Sequence, residues 1–146
     1  MRSAVSPEIS QLRAQLTRLA RRLRQEARND PASWARMLVI SAIDRLGDAA
    51  TPSAIARAED MRSSQVAALL RDLAASGLVL RRPHGIDRRM TRLALTAAGH
   101  AILGESRHRR DAWLADAMAA HLTEEERGRL LQAGLLLDRL VAPTVP

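Results

Sequence analysis

From residue 51 to residue 99 the chain reads TPSAIARAEDMRSSQVAALLRDLAASGLVLRRPHGIDRRMTRLALTAAG, and three changes of pattern inside this stretch decide the fold. Thr51-Pro52-Ser53 is a helix start: a hydroxyl caps the first turn and a proline sits where a helix needs no amide, opening a short helix to about Ala58. A second helix begins near Arg62 or Ser63. Val66, Leu69, Leu70 and Leu73 recur there at i, i+3, i+4 and i+7, and Gly77 stops it. Turned by about 100° per residue, its opposite side carries Ser64, Ala68, Arg71 and Ala75, with Gln65 and Ala67 on the flanks. After Gly77 the period drops to two. Residues 78–82 read as a strand, Pro83-His84-Gly85 as a turn, and Thr91, Leu93 and Leu95 alternate with Met90, Arg92 and Ala94 in a returning strand.

Helices flank this segment on both sides. Ile9, Leu12, Leu16, Leu19 and Leu23 step by three and four with Arg and Gln between them, which predicts a long amphipathic helix over 8–28 with a heptad-like seam. Asp30-Pro31 then caps a second helix, marked by Trp34, Leu38, Ala42, Ile43 and Leu46 and ended by Gly47. Beyond the hairpin, Thr96 caps a fifth helix that runs toward Ala120. Thr123-Glu124-Glu125-Glu126 is a capping box for a sixth through about Val141, followed by a tail. A second apolar stripe, Leu130, Leu131, Gly134, Leu135, Leu137, Leu140 and Val141, runs along that last helix. The predicted fold class is mainly α with a small β-hairpin, in the order of a winged helix-turn-helix.

Composition narrows the function. The 146 residues include 23 basic side chains, all arginine, with 16 acids and no cysteine, so thiol redox sensing, iron–sulfur clusters and cysteine-ligated zinc are excluded. No apolar run reaches the roughly 18–20 residues of a membrane span, and the first seven residues lack the apolar core of a signal peptide, so a soluble, cytoplasmic protein is expected. The net charge of +7 is concentrated: residues 1–28 carry seven arginines and two acids, 29–61 three and five, 62–110 ten and three, and 111–146 three and six. A concentrated basic block attracts polyanions, and the usual soluble polyanion is nucleic acid.

The fourth helix is therefore the candidate reader of a DNA groove, which admits a helix only if its outward side chains are short or hydrogen-bond to bases and phosphates. Arg62, Ser63, Ser64 and Gln65 sit at its amino end, where helix amides favour phosphate; Gln65 can read adenine, Ala68 can meet a thymine methyl, and Arg71 can reach phosphate. The plain alternative is the solvent face of an ordinary helix. In the hairpin, Arg81, Arg82, Arg88, Arg89 and Arg92 crowd around one acid, Asp87. An arginine at the loop tip can enter a narrow minor groove, and Asp87 can hold the Arg89 fork in place; otherwise the tip is a solvated charged turn.

These residues resemble the MarR family of winged helix-turn-helix transcriptional regulators. The resemblance rests on Thr51-Pro52-Ser53-Ala54-Ile55-Ala56, on Leu73 with Gly77-Leu78-Val79, on Arg81 with the wing motif Asp87-Arg88-Arg89, and on Leu95-Thr96-Ala97-Ala98-Gly99. It implies a homodimer in which the first and the last two helices interlock while two winged modules read an inverted repeat of double-stranded DNA. Residues 31–103 then form the DNA-binding domain, and 1–30 with 104–146 the helical dimerisation domain. The family usually has Ser or Thr where this chain has Gln65, so its base preference is expected to differ. Many members bind small aromatic anions between the two regions. Such an effector would be lined here by Trp34, Met37, Leu38 and Trp113, although Trp and Met on helical apolar faces are more often core.

Metal and catalytic chemistry find little support. Glu105 and His108 share a helix face, but Arg107, Arg109 and Arg110 crowd them with positive charge, so no metal and no cofactor is expected. No nucleophile elbow, phosphate-binding glycine loop or HExxH spacing occurs, so the chain is not expected to be an enzyme. Two rivals to a specific regulator use the same surfaces: a non-specific architectural DNA binder, and a protein-interaction adaptor whose winged helix has lost DNA.

Overall fold

The computed structural model describes residues 5–27, 31–83 and 91–143. Among the described residues, six helices and one hairpin follow in the predicted order: α1 (Pro7–Ala27), α2 (Pro31–Leu46), a 3-10 turn (Gly47–Ala49), α3 (Pro52–Ala58), α4 (Ser63–Ala75), β1 (Val79–Pro83), β2 (Thr91–Leu95), α5 (Ala97–His121) and α6 (Glu124–Val141). They group into two compact units, Met1–Arg110 and Asp111–Pro146. Among the described residues no helix is long and apolar enough to cross a membrane.

The core of the first unit is built around α2, which packs on α3, α4 and β2. Of the expected stripe of Trp34, Leu38, Ala42, Ile43 and Leu46 on α2, Ala42 and Ile43 are buried and the other three are half-buried, whereas Val39 and Ile40, outside that stripe, are buried too. A helix enclosed on several sides buries more than one stripe, which blurs its period. Val66, Leu70 and Leu73 of α4, Ile55 of α3 and Leu93 of β2 complete the same cluster. Full burial of each such side chain stabilises by about 1.5–3 kcal/mol.

The helix ends follow their capping chemistry. The Thr51 hydroxyl accepts from the Ala54 amide at 3.2 Å, with Pro52 as the first helical residue of α3. Thr123 and Glu126 form the predicted capping box of α6. At the end of α4, Gly77 takes φ 73, and the amides of Gly77 and Leu78 return to the carbonyls of Ala74 and Leu73. Both bonds satisfy carbonyls the helix would otherwise leave open. The same geometry closes α3 without a glycine: Asp60 takes φ 51 while the Met61 amide bonds Ala56 O at 2.9 Å. Short polar Asp tolerates the left-handed region better than most residues. Gly47, with φ 53, ends α2 as expected, but the 3-10 turn after it has no forerunner in the sequence pattern.

The hairpin pairs Val79 with Leu95, Arg81 with Leu93, Arg82 with Arg92 and Pro83 with Thr91. Its first strand thus runs one residue later than the expected 78–82 and takes in Pro83; the remaining turn residues, His84 and Gly85, lie outside the described residues. The Leu93 amide donates to Ala50 O at 2.9 Å, tying the wing to the chain just before α3. Thr96 fastens the other end, its hydroxyl donating to Gly77 O at 2.7 Å and accepting from the Gly99 amide at 3.0 Å. The wing base is therefore bonded on both sides to the segments that bracket α3 and α4.

The second unit holds the end of α5 and the whole of α6. Leu131, Leu135, Leu140 and Val141 of α6 are largely exposed, and Ile9, Leu12, Leu16 and Leu19 of α1 in the first unit are exposed to a lesser degree.

Candidate nucleic-acid interface

Burial of Val66, Leu70 and Leu73 fixes which side of α4 faces out. Arg62, Ser63, Ser64, Gln65, Ala68 and Arg71 are all exposed. Arg62 stands at the cap position and makes no side-chain hydrogen bond to the first turn. The first-turn amides of any helix lack intrahelical acceptors, and here they lie beside Ser63, Ser64 and Gln65. An anionic oxygen approaching that end meets amide and hydroxyl donors and the positive end of the helix dipole.

Sequence reasoning passed over one residue of this face. Asp72, at about 40° from Ala68 on the helical wheel, is exposed among Gln65, Ala68 and Ala75. A carboxylate there repels phosphate unless it is neutralised, and Arg36 of α2 does so. Its Nε lies 3.2 Å from Asp72 Oδ2, and its Nη2 donates to the Ser76 hydroxyl at 3.3 Å. The position of Asp72 was readable from the helical wheel, whereas its partner, distant in sequence, was not.

In the wing, Arg81 and Arg82 are exposed on β1. Arg82 stands directly opposite Arg92 across the ladder, so two like charges share one side of the hairpin. Asp48 of the 3-10 turn approaches Arg92 at 3.5 Å but is itself almost fully exposed, which leaves the pair only lightly screened. Both arginines line a groove of about 300 Å³ with Asp44 and His100. Asp87, Arg88 and Arg89 lie outside the described residues.

Trp34 is half-buried, with the guanidinium groups of Arg24 and Arg110 at 5.4 and 5.7 Å from its ring centre, within cation–π range. Leu38 is half-buried, and Trp113 belongs to the second unit. Of the four residues expected around an effector, Met37 lines a cavity of about 120 Å³ between α2, with Arg36 and Ile40, and α5, with Ile102, Ser106 and Arg109. Among the described residues, no His, Asp and Glu side chains group closely enough to hold a metal ion.

No protein-family profile matches the sequence. An uncharacterized HTH-type transcriptional regulator of Mycobacterium bovis is 32% identical over 132 residues, covering 90% of this chain and 91% of that protein. Among solved structures, a Pseudomonas aeruginosa protein with a proposed role as a transcriptional regulator is 48% identical and matches with a TM-score of 0.81 over 90% of this chain and 91% of its own. Apo MarR from Escherichia coli matches with a TM-score of 0.71 over 95% and 100% of the two chains, at 20% identity, a likeness of fold alone.

Proposed function

Because the chain belongs to the MarR family of winged helix-turn-helix transcriptional regulators, we propose that it is a homodimeric, sequence-specific DNA-binding regulator that represses by occupying an inverted-repeat operator. Members of this family are regulators and not enzymes. The observation that carries the reading is the exposed arc of α4, where Ser63, Ser64, Gln65, Ala68 and Arg71 offer short or hydrogen-bonding side chains beside a strongly basic hairpin. In the major groove Gln65 and Ala68 meet base edges, while Arg62, Ser63, Ser64 and Arg71 meet phosphates. The wing, with Arg82, Asp87, Arg88 and Arg89, takes the minor groove. Residues 31–103 form the DNA-binding domain, and residues 1–30 with 104–146 the dimerisation helices. A small aromatic effector reached through Trp34, Met37, Leu38 and Trp113 relieves repression by favouring another spacing of the two α4 helices.

A non-specific architectural binder would use the same arginines. Footprinting at physiological salt separates the two: a regulator protects one defined palindrome, whereas uniform protection without a boundary sinks the reading.

Each phosphate contact releases counterions, giving log affinity a slope of about −0.9 per contact against log salt. Arg71→Ala is expected to flatten that slope by about one unit and leave the ranking of DNA sequences unchanged. Loss of ranking without a change of slope moves Arg71 to base reading.

Arg89→Ala is expected to cost on the order of 1–3 kcal/mol of operator affinity, the range for one good groove contact. Arg89→Lys recovers only part of it, since an ammonium lacks the planar fork that Asp87 clamps. Asp87→Ala discriminates by sign. Simple electrostatics makes binding tighter when an acid near DNA is removed, but loss of the clamp makes it weaker. We expect it weaker at two salt concentrations in a variant of unchanged thermal stability; tighter binding at both returns Asp87 to an ordinary charged turn.

A further inference from the structure

The groove beside the wing gathers more positive charge than the protein itself neutralises. Arg82 of β1 and Arg92 of β2 stand directly opposite one another, and both line it. Like charges at opposed strand positions destabilise a hairpin unless an anion lies between them. A surplus remains after the ion pairs are counted. Arg92 approaches Asp48 at 3.5 Å, and Arg107 of α5 pairs with Asp44 of α2 at 3.0 Å, so the two acids balance two of three arginines. Arg82 is the third, and no acid among the described residues pairs with it. The carboxyl end of α2 at Gly47 and the amino end of α5 near His100 bring dipole charges of opposite sign, which offset one another. With His100 counted as neutral, the groove is positive by one charge. Arg92 adds a second unmet demand, since its Nε is shielded from solvent and has no hydrogen-bond partner.

Size and chemistry together select the ligand. The rest of the wall is largely apolar, with Ile43, Pro83, Leu93 and Leu95. An apolar cavity of about 150 Å³ holds a benzene ring, so a groove of about 300 Å³ has room for a ring-sized body and an anionic head. A carboxylate fills one guanidinium fork with its two oxygens. A phosphoryl group has three terminal oxygens, enough to accept from both forks at once. As a monoester it carries a charge of about −1.5 to −2 at pH 7, which the groove matches once Asp48, 96% exposed, turns to solvent and releases Arg92. We propose that the groove between the wing base, the turn after α2 and the start of α5 is a phosphoryl-binding site, in which Arg82 and Arg92 share one phosphate and the apolar wall takes the carbon body attached to it. The bound phosphate ties β1 to β2 and cancels the repulsion across the ladder. Phosphoryl groups reach the site from two sources, a free monoester or the DNA backbone, and their chemistry at the arginines is the same. Only the second source rests on the reading of the chain as a DNA-binding regulator.

The test uses the full-length protein and phenyl phosphate as the probe, read by thermal melting and calorimetric titration at an ionic strength fixed with sodium chloride. Phenyl phosphate should raise the melting temperature saturably, and chloride alone should not. Arg82→Gln and Arg92→Gln should each weaken probe binding about tenfold, and Arg82→Lys should recover only part of the loss, since an ammonium lacks the planar fork. Arg81→Gln, one residue away and outside the groove, should bind the probe as the parent does. Without probe, Arg82→Gln should melt no lower than the parent, because a like-charged pair is gone. No saturable binding by the parent, an equal loss in Arg81→Gln, full binding by Arg82→Gln and Arg92→Gln, or an Arg82→Gln that melts lower than the parent would each overturn the site. A DNA duplex recovered from a random pool separates the sources. Displacement of the probe by the duplex, with a salt slope flattened by about one unit in Arg92→Gln, assigns the phosphate to the DNA backbone. Equal probe binding with and without duplex assigns it to a free monoester. A parent that binds no duplex overturns the functional reading and leaves the phosphoryl site to stand or fall on melting and titration.

Discussion

Gly99→Ala is expected to cost the fold on the order of 3 kcal/mol, the upper part of the range for forcing an added carbon into packed structure. A Cβ at this position would lie 2.3 Å from the Leu78 carbonyl oxygen and 3.3 Å from its carbon, both backbone atoms. No rotamer change relieves that contact, so either the start of α5 or the entry to β1 must move. Movement there breaks the Thr96 latch, whose hydroxyl joins the Gly77 carbonyl to the Gly99 amide while its own amide donates to Leu78 O at 3.1 Å. Gly104→Ala is the control. It lies on exposed helix with nothing within 4 Å of its Cβ, so alanine there should stabilise by about 0.5–1 kcal/mol. Chemical denaturation of both variants checks the pair, and a Gly99→Ala protein as stable as the parent contradicts the close approach of α5 to Leu78.

The second large effect is expected from α6. Leu131 and Leu135 are 68% and 66% exposed, Leu140 and Val141 more so, and Ile9, Leu12, Leu16 and Leu19 of α1 also reach solvent. So many exposed large apolar side chains are uncommon on a monomer, and burying each leucine against a second copy stabilises by about 1.5–3 kcal/mol. Light scattering of the parent should give twice the chain mass of 16.0 kDa. Leu131→Glu with Leu135→Glu should give a folded species of single mass. Operator affinity should then fall by about 10²-fold or more, because a two-headed protein binds its second half-site at a high effective concentration that a monomer lacks. A double variant that stays dimeric moves the interface elsewhere, and a monomeric one that keeps full affinity defeats the two-half-site reading.

Both effects bear on what the sequence could tell. Local rules were legible wherever a few neighbouring residues decide the backbone: the Thr51-Pro52 start, the Thr123 to Glu126 box, and the left-handed stops at Gly47 and Gly77 all stand at the expected helix ends. The exposed arc of α4 was legible because its buried side has a clean period. Gly99 could be seen as part of a motif, but its physical reason is a carbonyl twenty-one residues earlier that no local pattern reveals. Asp60 was hidden for another reason, since an acid in a left-handed stop carries none of the signal a glycine does. The long-range ties stayed invisible too. Arg36 reaches Asp72 and Ser76 across 36 and 40 positions, and Arg24 and Arg110 approach the ring of Trp34 from two helices distant in sequence.

The most direct test of the central claim is selection of bound duplexes from a random DNA pool by the full-length protein at about 0.15 M salt, where surface attraction is screened beyond roughly 8 Å. The account predicts enrichment of an inverted repeat whose half-sites are centred about one helical turn, 10 to 10.5 base pairs, apart. Retention of the pool with no enriched sequence, or enrichment of a single unsymmetrical site, would contradict it.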